Sequence, residues 1–210
     1  MELFLTVMDE FSAEITEKRS RFIATVAHAE SEEEAFEFIN EIKSNYWDAK
    51  HNVYAFALSE GNVCRYSDDN EPHGTAGKPI LDVILGRGIK NVVVVVTRYF
   101  GGVLLGTGGL VRAYSSAAAA VLDSATIYEL RNCVSYGITC NYNQYDIIQK
   151  ITKKHSASIN SPVFLTNIVM DVSLEEQYEE DFVADIIDAL NGDVKMEFRK
   201  RFLLFVKKIK

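Results

Sequence analysis

The sequence has few of the residues that would place it in a specialised class of protein. Its 210 residues include three cysteines and three prolines, so we expect neither a disulfide framework nor a long disordered linker. No run reaches the ~18 consecutive apolar residues of a membrane-spanning helix. No basic and apolar signal sequence opens the chain. These absences predict a reduced, cytoplasmic, globular protein with no membrane partner.

Basic charge is scarce as well. The formal net charge is -8, which argues against nucleic-acid binding by a generic basic surface and against sequence-specific DNA binding. Residues 194–210 are an exception, with seven Lys or Arg against one acid, and they leave a local basic face open. The four histidines lack the spacing of zinc ligands, so no zinc site is expected.

The most informative stretch is residues 91–120, NVVVVVTRYFGGVLLGTGGLVRAYSSAAAA. Five valines predict a strand buried on both faces, and the apolar run over 110–122 predicts a helix. A glycine-rich turn joins them, and this arrangement aims backbone N–H groups at an anion. The alternative is that the glycines only permit a tight turn and close packing. The candidate anion, phosphate or RNA-binding residues here are Arg98, Tyr99, Gly101, Gly102, Gly106, Gly108, Gly109 and Arg112, with Arg21 from an earlier segment.

A second glycine-containing turn, HGTAGKP over residues 73–79, precedes another predicted helix. Gly74, Thr75, Gly77 and Lys78 are therefore further candidate anion contacts. Neither turn is a standard nucleotide motif, because Pro79 stands where a P-loop has Ser or Thr. The first turn also lacks the third glycine of G-x-G-x-x-G.

An acidic turn lies just before this segment. Asp68, Asp69, Glu71 and His73, together with His51, are candidates for acid–base chemistry or for holding a metal. The alternative is an ordinary solvated turn with a structural histidine. No catalytic residue is assigned, and no cofactor is expected beyond a magnesium ion that the carboxylates could hold.

The order of predicted elements indicates an α+β protein of two domains, residues 1–129 and 130–210. The first contains both predicted strands and predicted helices. The second runs strand, helix, strand, strand, helix, strand, which predicts a ferredoxin-like βαββαβ sandwich.

Several strings together resemble the IMPACT family, whose bacterial members are YigZ-like proteins. They are KRSRFIA from Lys18, the strand from His51, DDNEPHGTAGKPIL, and VVVVVTRYFGGVLLGTGGLVRAY. The resemblance implies a first domain that is an α/β sandwich like the second domain of ribosomal protein S-five. It implies a second domain like the last domain of the translocation elongation factor. Eukaryotic members regulate translation, largely through an N-terminal RWD domain that we do not find before Phe11.

Three functions follow as hypotheses. The first is a translation-associated binding protein that contacts RNA, the ribosome or a translation factor through the glycine-rich site. The second is an enzyme that binds a phosphorylated small molecule or nucleotide, with Mg²⁺ on the acidic turn. The third is a protein-interaction module without a ligand. The sequence leaves open whether the protein is an enzyme and whether it is an oligomer, and we rank RNA or ribosome binding first.

Overall fold

A computed structural model of the protein describes residues 3–208. The described chain divides into two compact units, residues 3–129 with 206–208, and residues 130–205. The predicted α+β class with two units is confirmed. The predicted domain ranges stay predictions, because compactness alone does not show that either part folds independently. Within residues 3–208, no helix is long and apolar enough to cross a membrane.

The first unit is built on a five-stranded antiparallel sheet. Its elements are, in chain order, β1 (Leu5–Val7), β2 (Phe11–Glu17), β3 (Ser20–His28), α1 (Glu32–Asn45), β4 (His51–Ala57), β5 (Cys64–Ser67), α2 (Gly77–Gly86), β6 (Val92–Tyr99) and α3 (Thr107–Ser124). The sheet order is β2-β3-β6-β4-β5. β1 lies outside this sheet and pairs with residues 127–129.

The central strand β6 explains the valine run. Val92, Val94 and Val96 pack with α2 and α3, whereas Val93 and Val95 pack with α1 on the opposite face. Alternate side chains of a strand point to opposite faces, so a strand covered on both sides must be apolar throughout. This face assignment continues to the end of β6 and decides which polar side chains meet there.

The second unit has the predicted ferredoxin-like topology. Its elements are β7 (Ile127–Cys140, which begins in the first unit), α4 (Tyr142–Lys154), β8 (Ser158–Phe164), β9 (Ile168–Glu175), α5 (Glu179–Ala189) and β10 (Lys195–Lys207). β9 lies between β7 and β8, and β10 pairs with the other side of β7. Ile148, Phe182 and Ile186 of the two helices are buried with the apolar side chains of β7 and β9.

Local sequence signals account for most element ends. Ser31 caps α1, its hydroxyl accepting a hydrogen bond from the Glu34 amide at 3.1 Å, as three acids in the following turn predict. Two helices differ from the prediction. α2 begins at Gly77 rather than Thr75, and α3 begins at Thr107, so Gly108 and Gly109 lie inside its first turn.

Candidate functional site

A cavity of about 460 Å³ lies at the end of the first unit's sheet where α3 begins. β4 contributes His51 to its wall, with Lys50 just before the strand, and β6 contributes Arg98. The turn before α2 supplies Glu71 and Pro72. The remaining wall is the glycine-rich loop and the first turn of α3: Phe100, Leu104, Leu105, Gly106, Thr107 and Leu110. The first glycine segment therefore lies at this cavity, whereas the second reaches it only through Glu71 and Pro72, which precede residues 73–79.

Arg98 is a deeply buried cationic residue of this cavity. The residue is 6% exposed, and its Nη1 donates to Glu71 Oε1 at 2.5 Å. The guanidinium lies 5.4 Å from the ring centre of Phe22 and 5.7 Å from that of Phe100. Its Nε is the one buried side-chain nitrogen or oxygen of residues 3–208 that has no hydrogen-bond partner. An unsatisfied buried donor is costly, so this nitrogen calls for an explanation.

Tyr114 is the third member of the buried group formed with Arg98 and Glu71. Its hydroxyl, on the inner face of α3, donates to the same Glu71 oxygen at 2.8 Å. Burial and the neighbouring Glu71 carboxylate raise the pKa of Tyr114 far above its ordinary value, so the phenol stays protonated and remains a donor. Glu71 thus balances the charge of Arg98 while most N–H groups of the guanidinium stay uncommitted, since an arginine carries five.

His51 lies directly across the sheet from Arg98, in register between β4 and β6. Its Nδ1 donates to the backbone carbonyl of Asp69 at 2.8 Å. A carbonyl can only accept, so the neutral ring carries its proton on Nδ1 and presents a lone pair at Nε2. That Nε2 lies 3.9 Å from Glu71 Oε1. The cavity wall therefore combines an imidazole lone pair with the hydrogen-bond donors of Arg98 and Lys50.

The first turn of α3 is open. Gly106, the residue before the helix, has φ 71° and ψ 167° and no side chain with which to cap it. This conformation is essentially restricted to glycine. The first N–H groups of a helix lack intrahelical partners and carry a partial positive charge. A Cβ built on Gly108 would meet nothing within 4 Å, so packing does not require glycine there.

The amides of the second glycine segment are already used. Asp68 accepts hydrogen bonds from the backbone N–H of Gly74 at 2.8 Å, Ala76 at 3.1 Å and Gly77 at 2.8 Å. The anion at the start of α2 is therefore the chain's own carboxylate. Gly77 is needed for packing, because a Cβ there would lie 2.6 Å from the Ser67 carbonyl oxygen.

The neighbouring candidates in this segment are occupied as well. Thr75 donates from its hydroxyl to the Pro72 carbonyl at 2.7 Å. Lys78 forms an ion pair with Asp82 one helical turn later. Of residues 71–79, the cavity is lined only by Glu71 and Pro72.

Tyr99 and Arg21 lie on the other face of the sheet from Arg98. The Tyr99 hydroxyl donates to Asp48 at 2.7 Å, and this hydrogen bond raises the pKa of Tyr99. The Arg21 guanidinium lies 5.6 Å from the Tyr99 ring centre and pairs with Glu14 at 2.9 Å. Adjacent strand residues cannot share a face, so Arg98 and Tyr99 do not form one site.

The remaining glycine-loop candidates divide into structural and exposed positions. Gly101 has a packing role, because a Cβ there would lie 2.1 Å from the Arg19 carbonyl carbon. Gly102 has φ +82° with open space around it, and Gly109 faces Leu105, 3.0 Å from a Cβ built there. Arg112 is exposed one turn beyond Gly108 on α3 and does not line the cavity.

The acidic turn is organised by internal contacts. Asp69 Oδ2 accepts from the Asn52 backbone N–H at 2.6 Å, while its carbonyl orients His51. His73 has a side chain that is 96% exposed, 3.7 Å from Asp68. Across residues 3–208, no three His, Cys, Asp or Glu side chains come together in a way that could hold a metal ion. Catalysis by these residues and a magnesium site both stay predictions.

A larger cavity, of about 570 Å³, lies at the ends of α2 and α3. It is lined by Leu5, Ile89, Leu122 and Ile127, with Arg87 and Lys207 among its polar residues. Its charged residues are Arg87, Asp123, Lys207 and Lys208, and none of the predicted site residues lies there. We therefore take the smaller cavity as the candidate site.

Three of the six described basic residues of the C-terminal stretch, Lys195, Arg199 and Arg201, pair with acids. Arg201 binds Glu176 at 2.7 Å and Glu179 at 3.0 Å. Arg199 lies 3.4 Å from Glu197 and 3.7 Å from Asp171. Lys210 lies outside the described residues. This pairing leaves less free basic charge than the residue count over 194–210 indicates.

Known proteins resemble the chain over nearly its whole length. "IMPACT family member YvyE" of Bacillus subtilis is 31% identical over 206 residues, covering 98% of this chain and 94% of the relative. "IMPACT family member YigZ" of Escherichia coli is 32% identical, covering 91% and 93%. The family model Impact N-terminal domain matches residues 18–122. The chain belongs to the IMPACT family.

The second unit of this IMPACT family member matches a family model that names no function. Residues 138–193 match the model Domain of unknown function (DUF1949).

A "Protein IMPACT homolog" of Dictyostelium discoideum is 38% identical over 96 residues, 44% of this chain and 28% of that one. A solved crystal structure described only as that of a hypothetical protein has 30% identity and a TM-score of 0.60, covering 95% of this chain and 98% of that one. The family resemblance inferred from the motifs is thus confirmed.

Several residues of the site were not predicted from the sequence. They are Tyr114, which donates to Glu71, and the wall residues Lys50, Pro72, Phe100, Leu104, Leu105, Thr107 and Leu110. Tyr114 was placed in a generic apolar helix, although a tyrosine in LVRAYSSAAAA follows Leu110 by one helical turn and so belongs to the same buried face. Buried tyrosine hydroxyls need a partner, which was the available signal. Lys50 carried no such signal, because it lies just outside β4.

Proposed function

We propose that this protein is a cytoplasmic binding protein of the translation apparatus that takes a phosphate group of RNA, free or ribosomal, into the cavity at the start of α3. The observation that carries the proposal is the buried Arg98 guanidinium, which donates to Glu71 through Nη1 and whose Nε has no partner. Arg98 lines the same cavity as the uncapped start of α3.

The charges around the cavity favour an anion. Glu71 is balanced by Arg98, so Lys50 and the partial charge of the helix start remain in excess. Charge-assisted hydrogen bonds to arginine and to helix N-termini are the usual means of holding phosphate. A phosphate also satisfies two sets of donors at once, the guanidinium and the first amides of α3.

The translation setting rests on the family. The eukaryotic relatives bear the name IMPACT, and the resemblance implies regulators of translation. The acidic net charge of -8 and the internal pairing of Arg199 and Arg201 favour a local phosphate contact over a broad basic surface. We therefore expect a salt dependence that reflects a few phosphate contacts.

Filter binding of labelled RNA and of ribosomes, measured across salt concentration, tests the proposal. Gly108→Asp places a carboxylate at the start of α3, where it competes with phosphate without disturbing packing. Ser116→Asp is the matched control, because it adds the same charge on the same helix roughly 12 Å further along, beyond the ~8 Å Debye length. Binding lost in the first variant and kept in the second supports the site. Equal binding by both variants, or no RNA or ribosome binding by the native protein, contradicts it.

One observation favours an enzyme acting on a phosphorylated small molecule as a second candidate. His51 Nε2 is oriented by the Asp69 carbonyl and faces the same cavity, as a general base would. A thermal-shift screen with nucleotides, with and without magnesium, tests this candidate. A ligand at ~100 times its dissociation constant stabilises the folded state by ~2.7 kcal/mol. An absence of any stabilising nucleotide would count against it.

A further inference from the structure

Resting on the proposed function, we infer that the cavity binds a phosphate monoester, at the end of an RNA chain or on a free nucleotide, in preference to a phosphodiester inside a strand. The inference names the chemical class of ligand for the same site. It depends on the depth of the cationic group, the apolar wall of the cavity and the proton position on His51.

The depth of Arg98 favours a terminal phosphate. The arginine is 6% exposed and is covered on one side by the Phe100 ring. A phosphodiester continues into the chain on both sides and has two unsubstituted oxygens, whereas a monoester can enter end-on with three. The donors also come from separate elements, β6 and α3, with Lys50 at the wall. Three free oxygens satisfy such a set better than two.

Part of the cavity wall is apolar and exposed. Phe100 is 47% exposed and Leu104 is 84% exposed, and both line the cavity with Leu105 and Leu110. Large apolar side chains beside a cationic group fit a ligand whose body is flat or apolar. Nucleobases stack on such side chains with little dependence on sequence. The phosphate of a nucleotide therefore fits the cationic residues of the cavity, and its base fits the apolar side chains.

His51 distinguishes the two kinds of phosphate. Its neutral ring presents a lone pair at Nε2, which repels the oxygens of a phosphodiester that carries no proton. A monoester has a second ionisation near pH 6, so it can carry a proton on one of its own oxygens. That proton can be donated to the Nε2 lone pair. The charged residues that line the cavity with His51 are Glu71, Arg98 and Lys50.

Competition binding with a short RNA in three forms tests the inference. The forms carry a 5′-phosphate, a 3′-phosphate or hydroxyls at both ends, and adenosine monophosphate serves as competitor. We expect one terminal phosphate to tighten binding about tenfold, as one added charge-assisted hydrogen bond does. The mononucleotide should remove this gain. Gly108→Asp should abolish it and Ser116→Asp should preserve it.

The outcomes separate this inference from the proposed function. Equal binding of all three RNAs, weakened by Gly108→Asp, overturns the terminal-phosphate inference and leaves RNA binding in place. Binding of adenosine monophosphate alone, without RNA binding, keeps the monoester and overturns the RNA role. No binding of any RNA or nucleotide overturns both.

Discussion

Arg98 and Glu71 form a buried ion pair, and we predict that a second substitution restores part of the stability lost when the first one breaks the pair. Their side chains are 7% and 4% exposed, so removing one partner leaves the other charge in a poorly solvated place. For Arg98→Met we expect a loss of about 3–5 kcal/mol, the usual cost of breaking a buried ion pair. Tyr114 still donates to Glu71 in this variant, which places the loss towards the lower end.

A second substitution should restore part of that loss. Glu71→Gln keeps an oxygen that accepts from Tyr114 and removes the stranded charge. We therefore expect Arg98→Met with Glu71→Gln to be more stable than Arg98→Met alone, although it carries one more change. The two residues are in direct contact, so their effects should not add.

Native-state hydrogen exchange of the β6 amides is the appropriate assay, because these amides report the opening of the first unit alone. Urea unfolding followed by circular dichroism gives an independent measurement. The contrary result is a double variant whose free energy of unfolding lies below that of Arg98→Met by as much as Glu71→Gln alone costs in the native protein. Glu71 would then carry no stranded charge in Arg98→Met.

Four further predictions follow from single residues. Gly106→Ala should cost about 1–3 kcal/mol in urea unfolding, because φ 71° with ψ 167° suits only glycine; no loss would show that the loop adopts another conformation. Tyr114→Phe should cost about 1.5–3 kcal/mol by the same assay, the value of a hydrogen bond to a charged group; a neutral result would mean that Glu71 finds another donor. Gly108→Asp should raise the melting temperature, since an acid in the first turn of a helix adds about 0.3–1 kcal/mol, while removing stabilisation by phosphate; a lowered melting temperature would contradict the open geometry. Burial raises the pKa of Tyr136 to about 12, so the contribution of this residue to the free energy of unfolding should be complete below the unfolded value near 10 and lost as pH rises through about 12. Alkaline unfolding curves of Tyr136→Phe should lack this dependence.

The sequence predicted the elements well where a local signal determines them. The valine run required a strand covered on both faces, and Ser31 with its acids required a helix start. Gly106 was foreseen as part of a turn, but its particular conformation was not. Gly108 and Gly109 were assigned to the loop, although the helix already begins at Thr107, because glycine is a poor helix former.

The composition of the site was harder to predict because it depends on tertiary contacts. The alternation of β6 could have separated Arg98 from Tyr99, since neighbouring strand residues point to opposite faces. No local pattern indicates that Asp68 turns back to occupy the amides before α2. Likewise, the partner of Glu71 lies 27 residues away in sequence. Such pairings require the whole sheet.

In the proposed site, one phosphate binds to both Arg98 and the first turn of α3. The most direct measurement is an NMR titration of the native protein with adenosine monophosphate, following the Arg98 Nε–H resonance and the amides of Thr107, Gly108 and Gly109. We predict that these resonances shift together with one dissociation constant, and that Gly108→Asp abolishes the shifts while Ser116→Asp preserves them. Resonances that stay unchanged, or shifts confined to other parts of the chain, would contradict the account.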